Sequence, residues 1–217
     1  VMEETRPGQF FPLEEDGRGS YVFSSRDLCM LDHLPALMGS GVKALKIEGR
    51  MKGIYYLATV VGIYRQALDA YGADPDRYRP APAWREEIAR VSRRELCTGF
   101  YFGDPSQTES QFDDPREDHP QGRFLAKVLA QGHQGQVTVE VRNRLARGDA
   151  VAVISPGRTI RSDEINAIYD LEGNELAVAH PGQTVRIGMQ GSYAAWDLIR
   201  GQPRPDPRGW PQRLCAE

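Results

Sequence analysis

The sequence predicts an α/β segment that forms or imitates the closing units of an α/β barrel, followed by a small all-β barrel. Three observations predict it. Residues 24–71 run in the order helix, turn, strand, loop, helix. Residues 106–121 are polar, acidic and proline-containing without an apolar period, and read as a linker. From Phe124 to Ile187, short apolar runs alternate with Gly, Asn and Pro turns, the spacing of a small barrel. The organisation is therefore residues 1–105 α/β, 106–121 linker, 122–200 a β-barrel accessory (lid) domain, and 201–217 a flexible tail.

Each element has a local reason. Tyr21–Phe23 is a brief strand after a turn-rich start. Ser24 with Asp27 resembles a capping box, and Leu28, Leu31 and Leu34 follow at helical spacing, which puts Cys29 in the first turns of that helix and His33 four residues on. Pro35 opens a second short helix that Gly39 to Gly41 ends. Val42–Ile47 alternates like a strand and places Glu48 at its carboxyl end, where barrel enzymes carry functional groups. Ile54, Leu57, Val61, Tyr64, Leu68 and Tyr71 form the clearest helical stripe. After the proline-rich break at residues 78–83, Trp84, Ile88 and Val91 mark one side of a shorter helix ending near Arg94. The tight Thr98–Gly103 segment brings Phe100, Tyr101 and Phe102, read most simply as packing between the domains.

Composition excludes several classes. With 40% apolar and 26% charged residues the chain is an ordinary soluble globular protein, and its 217 residues suffice for two modest domains. No run reaches the roughly 18 apolar residues of a membrane span, so no membrane partner is expected and the protein reads as cytoplasmic. Three cysteines, Cys29, Cys97 and Cys215, are odd in number and far apart, against a disulfide framework. A net charge of −3 gives no bulk drive toward nucleic acid, so RNA contact requires a local basic patch. Arg142, Arg144 and Arg147 are the best candidate for one, a solvated surface being the plainer alternative. The start at Val1, without an initiator methionine, suggests a fragment.

Glu48, Arg50 and Lys52 are the candidate catalytic residues. The planar fork of Arg50 suits a carboxylate or phosphate, and Glu48 suits orientation or proton acceptance, whereas the bland alternative is a solvated ion-pair loop. Peptide hydrolysis needs an activated nucleophile or a metal-bound water. His33, His119, His133 and His180 are scattered, and Cys29 with His33 is the nearest approach to a dyad. Tyr55 and Tyr56 are adjacent, so at most one faces a core.

Glu3–Gly8, Ser25-Arg-Asp-Leu-Cys29 and above all Lys46-Ile-Glu-Gly-Arg-Met-Lys52, followed by Tyr55–Val61, resemble the bacterial U32 "collagenase-like peptidase" family. Thr98–Gly103 and Glu140-Val-Arg-Asn-Arg144 resemble its distal parts. The resemblance implies the end of a TIM-barrel-like domain followed by the family's C-terminal β-barrel. It implies that Cys29 is the last thiolate of a four-cysteine set holding an iron–sulfur cluster in the full-length protein; the other ligands are absent from this chain, and no cofactor is expected in the chain alone. Of the family's two reported activities, iron–sulfur-dependent hydroxylation of the tRNA wobble uridine fits these residues better than collagenase-like proteolysis. A substrate-binding module without its own chemistry is the third reading. The implied partner is tRNA, or a protein or peptide substrate under the second reading, with a further U32 subunit possible.

Overall fold

The computed structural model describes residues 13–16, 19–22, 27–92, 96–103, 123–132 and 135–202. The expected linker at 106–121, the tail beyond Gln202, Ser24, His119, His133 and Cys215 lie outside the described residues. The chain divides into two compact units, Val1–Lys46 with Ala67–His119 and Ile47–Gln66 with Pro120–Glu217.

In the first unit, β1 (Leu13–Asp16) and β2 (Gly19–Val22) pair antiparallel, and β3 (Asp27–Leu28) runs on to a 3-10 turn (Leu31–His33) and α1 (Leu34–Gly39). The helix expected from Ser24 is corrected here: Asp27 and Leu28 are strand, in parallel register with Leu96 and Cys97. The capping signal at Asp27 is local, and pairing with a distant strand overrides it. Pro35 does sit in the first turn of α1, and the Ser40 hydroxyl donates to the Leu37 carbonyl at 2.7 Å beyond its end. Leu31 and Leu34 are fully buried, and Tyr78 donates its hydroxyl to the Leu31 carbonyl while meeting Tyr71 edge-on at 5.6 Å. Val42–Ile47, expected as a strand, has no strand partner among the described residues and is mostly exposed. Its alternation of apolar and basic residues meets the pattern of a half-buried strand, but pattern alone supplies no neighbour to pair with.

Two helices follow, α2 (Ile54–Ala73) and α3 (Pro82–Val91), and then β4 (Leu96–Cys97), the partner of β3. The long helix forms as expected, but its buried positions are Thr59, Val60, Ile63 and Ala67, whereas Ile54 and Val61 of the expected stripe are 41% and 49% exposed. In α3 Ile88 and Val91 point inward, as their spacing requires. Phe100, Tyr101 and Phe102 are exposed, at 81%, 58% and 58%.

The second unit contains β5 (Phe124–Gln131), β6 (Gln136–Val141), β7 (Leu145–Ala146), β8 (Ala150–Ile154), β9 (Arg161–Glu164), β10 (Ala167–Tyr169), β11 (Val178–Ala179), β12 (Thr184–Gly188) and β13 (Leu198–Gly201). Seven of them form one antiparallel sheet in the order β10-β12-β6-β5-β13-β8-β9, and β7 pairs with β11. Its inner face carries Val128, Val137, Val139, Val153, Val185, Ile187 and Ile199, all buried, because alternate residues of each strand point the same way.

The sheet curls, and the chain itself shows why. Its border strands, β9 and β10, are joined by Ile165 and Asn166 alone. The Ile165 N–H donates to Asp149 beside β8 at 3.1 Å, and the Asn166 N–H donates to Gly188 of β12 at 2.9 Å. Those acceptors belong to opposite sides of the sheet, so the sheet bends until its borders meet at that corner. The result is a curled antiparallel half-barrel rather than a flat layer. Gly201 and Gln202, expected at the start of a loose tail, belong to the fold: Gln202 donates to Val151 at 3.1 Å and Ser162 at 2.8 Å.

Candidate functional site

Glu48, Arg50 and Lys52 occupy a tight turn leading into α2. The Glu48 carboxylate accepts the Arg50 backbone N–H at 3.0 Å, and the Lys52 N–H closes the turn on the Gly49 carbonyl at 2.8 Å. The Lys52 ammonium lies 4.7 Å over the Tyr56 ring. Glu48 and Arg50 are exposed, and the turn follows an unpaired segment, so the expected strand-end placement is not what presents them. Gly49 is the tightest point of the turn. It is buried, and a Cβ there would collide with the side chain of Leu57 on α2. Gly49→Ala is expected to cost about 1–3 kcal/mol through overpacking, read as a lowered urea midpoint at unchanged slope. Tyr55 stacks on Phe124 at 5.8 Å and 10°, so of the two adjacent tyrosines one faces the sheet unit and the other lies under Lys52.

Cys29 follows β3, and its backbone N–H donates to the Cys97 carbonyl at 2.8 Å. The strand pairing thus brings two cysteines to neighbouring chain positions, which the sequence reading, treating Cys97 as core, did not foresee. Neither forms a disulfide. No group of three or more His, Cys, Asp and Glu among the described residues is placed to hold a metal ion. An iron–sulfur cluster takes four thiolates, so the described residues do not by themselves make a cluster site. His33 is no partner at helical spacing, because Cys29 precedes the helix; its ring packs against Phe102 at 4.3 Å. His180 sits exposed in a turn, its N–H donating to Gln183.

Of the three arginines, Arg142 and Arg147 meet different carboxylates. Arg147 pairs with Glu175 at 2.9 Å and borders an open cleft shared with Glu164, Asn166 and Leu176, whose carboxylates oppose a polyanion. Arg144 is exposed. Arg142 is held by Glu140 at 3.2 Å, and Glu140 also accepts Lys127 at 3.1 Å across the β5–β6 ladder. Hydrogen bonding from Lys127, with the charge of Arg142 behind it, holds the Glu140 carboxyl below its ordinary value. Lys127 in turn lies 5.2 Å from the ring centre of Trp196, which is 67% exposed.

One constellation escaped the sequence reading altogether. Asp163 of β9 accepts the Tyr193 hydroxyl at 2.6 Å and the N–H groups of Gly191, Gln190 and Glu164 at 2.8, 3.1 and 2.7 Å. Arg161 covers the Tyr193 ring at 4.7 Å. Burial works to raise the Asp163 carboxyl, but these donors lower it further and win. Burial first and Asp163 second push the Tyr193 phenol up. Since β9 is a border strand and the 190–193 loop follows β12, this is a clasp across the seam of the curled sheet. No local motif announces it, because its members come from separate loops.

The model of Peptidase family U32 matches residues 1–111, and that of the Peptidase family U32 C-terminal domain matches residues 120–200. Tested against curated proteins, the chain is 37% identical over 189 residues to tRNA hydroxylation protein P1 of Bacillus subtilis, covering 86% of this chain and 44% of that protein. It is 26% identical to tRNA hydroxylation protein P of Escherichia coli, covering 90% of this chain and 40% of that protein. A collagenase of Porphyromonas gingivalis is 34% identical over 91 residues, covering 42% of this chain and 25% of that protein. The crystal structure of the C-terminal domain of a Geobacillus thermoleovorans putative U32 peptidase covers 37% of this chain and 93% of its own, with 30% identity and a TM-score of 0.36. The chain spans less than half the length of the tRNA hydroxylation proteins it matches. With the two models together matching nearly its whole length, the chain belongs to peptidase family U32.

Proposed function

We propose that this chain is the C-terminal part of an enzyme that hydroxylates the wobble uridine of tRNA. The observation that carries the reading is the likeness to tRNA hydroxylation protein P1, 37% identity running over 86% of the chain. The likeness to the collagenase of Porphyromonas gingivalis runs over 42% of it.

In this reading, residues 27–103 supply closing elements of a TIM-barrel-like domain. The short parallel pair β3–β4 supports this, because parallel strands ordinarily belong to larger sheets covered by helices. Cys29 would contribute one thiolate to a cluster whose other ligands lie in the rest of a longer protein. Such a cluster supplies redox chemistry. This chain's own part is to place Cys29 beside Cys97, present Arg50 and Glu48 from the Gly49 turn, and engage RNA from the curled sheet.

The test is the nucleoside content of tRNA. Deleting the gene in its host is expected to remove 5-hydroxyuridine and its derivatives from wobble positions, as read by mass spectrometry, and re-expression to restore them. Unaltered tRNA together with lost gelatin cleavage would replace this reading by the peptidase.

A further inference from the structure

Trp196 stands in an unusual place. Its φ of +77° makes it the one non-glycine residue with a positive φ among the described residues. That region disfavours any Cβ, and a large aromatic there is held against its own preference. The surroundings hold it firmly. Trp196 donates its N–H to Val128 at 2.9 Å, Val128 donates to Asp197 at 2.9 Å, and the Asp197 carboxylate accepts the Ala194 N–H at 3.0 Å. A glycine would fit this turn without strain. Yet the position carries an indole that packs into no core, 67% exposed.

What accompanies the indole is cationic. Lys127 approaches one side of the ring, and Glu140 links Lys127 to Arg142. Arg142 meets that carboxylate through Nη2, and its side chain is 47% exposed. Two cations against one carboxylate leave the trio net positive. An open aromatic face with a basic flank is what single-stranded RNA requires: a base stacks on the ring and the neighbouring phosphate meets the guanidinium.

We propose that Trp196, Lys127 and Arg142 form a subsite on the curled sheet for one unpaired nucleotide, the base on the indole and the phosphate on Arg142. The proposal rests on the tRNA reading and goes beyond it, because it assigns RNA contact to residues other than Arg144 and Arg147. It also explains the strain: the turn sacrifices backbone comfort to hold an aromatic plate in solvent.

The test uses the whole 217-residue chain and a fluorescein-labelled single-stranded oligouridylate followed by anisotropy. Trp196→Gly is expected to weaken binding about 5- to 150-fold while its melting temperature holds or rises, a combination that loss of structure cannot produce. Trp196→Phe is expected to stay within a few-fold of the parent. Arg142→Gln is expected to reduce the slope of log affinity against log salt by about one. Equal RNA affinity for Trp196→Gly and the parent would overturn the subsite and leave the tRNA reading standing. So would a parent chain that binds no oligouridylate although gene deletion removes hydroxyuridine. Loss of gelatin-peptide binding rather than RNA binding in Trp196→Gly would overturn it in favour of a peptide contact.

Discussion

Asp163→Ala is expected to lower the melting temperature of the curled-sheet unit by more than about 10 °C. The carboxylate satisfies one phenol and three backbone N–H groups. Tyr193 is only 3% exposed, so its hydroxyl cannot recover a water partner when the acceptor goes. Donors left without an acceptor inside the fold cost about 1–3 kcal/mol each, and even partial recovery by water at the loop leaves about 3–5 kcal/mol. For a domain of this size that is a shift of well over ten degrees. Asp163→Asn should fall between, since its amide oxygen accepts but its NH2 group faces other donors.

The same carboxylate sets a pH dependence. Its folded pKa lies below the ordinary value, so the folded state favours the ionised form. The stability it contributes is complete above the unfolded pKa of about 3.9 and is lost as pH falls through the lower folded value. Between pH 7 and pH 3, parent and Asp163→Asn should therefore converge in melting temperature. Curves that stay parallel down to pH 3 would show that the clasp draws nothing from ionisation.

The other large effect concerns Cys29. In a protein of the relatives' full length, Cys29→Ser is expected to abolish wobble hydroxyuridine and to strip iron from anaerobically purified protein, because a cluster lacking one of four thiolates is not retained. Cys97→Ser is the control: it keeps the backbone bond to Cys29, which uses the Cys97 carbonyl. It should leave iron and hydroxyuridine near the parent level. Iron and tRNA modification unchanged in Cys29→Ser would reduce Cys29 to a packing residue.

The parts legible in the sequence were those written in local periodicity. The long helix from Ile54 needs only a three-four rhythm, and five of the seven sheet strands, with β11 beside them, were marked by turn residues at their ends. The rotation of that helix was not legible: Thr59, Val60, Ile63 and Ala67 face inward because neighbours the sequence does not announce select that side. Asp27 looked like a cap and became a strand residue for the same reason. Arg161–Glu164 and Leu198–Gly201 were missed as strands, the first polar at all four positions and the second short and close to the end of the fold. At the site, the Gly49 turn could be located from its motif, but its cause, the approach of Leu57, required the fold. Trp196 left no trace, since a positive φ at a non-glycine residue is written in the partners that enforce it.

The two-residue bridge between β9 and β10 has a consequence for how the unit comes apart. Neither border can fray alone: lifting Arg161–Glu164 pulls on Ala167–Tyr169 at the far side, so hydrogen exchange across all seven strands should report one opening event instead of a graded series. A single cut between Ile165 and Asn166 would release both borders together and expose two strand edges able to recruit other chains.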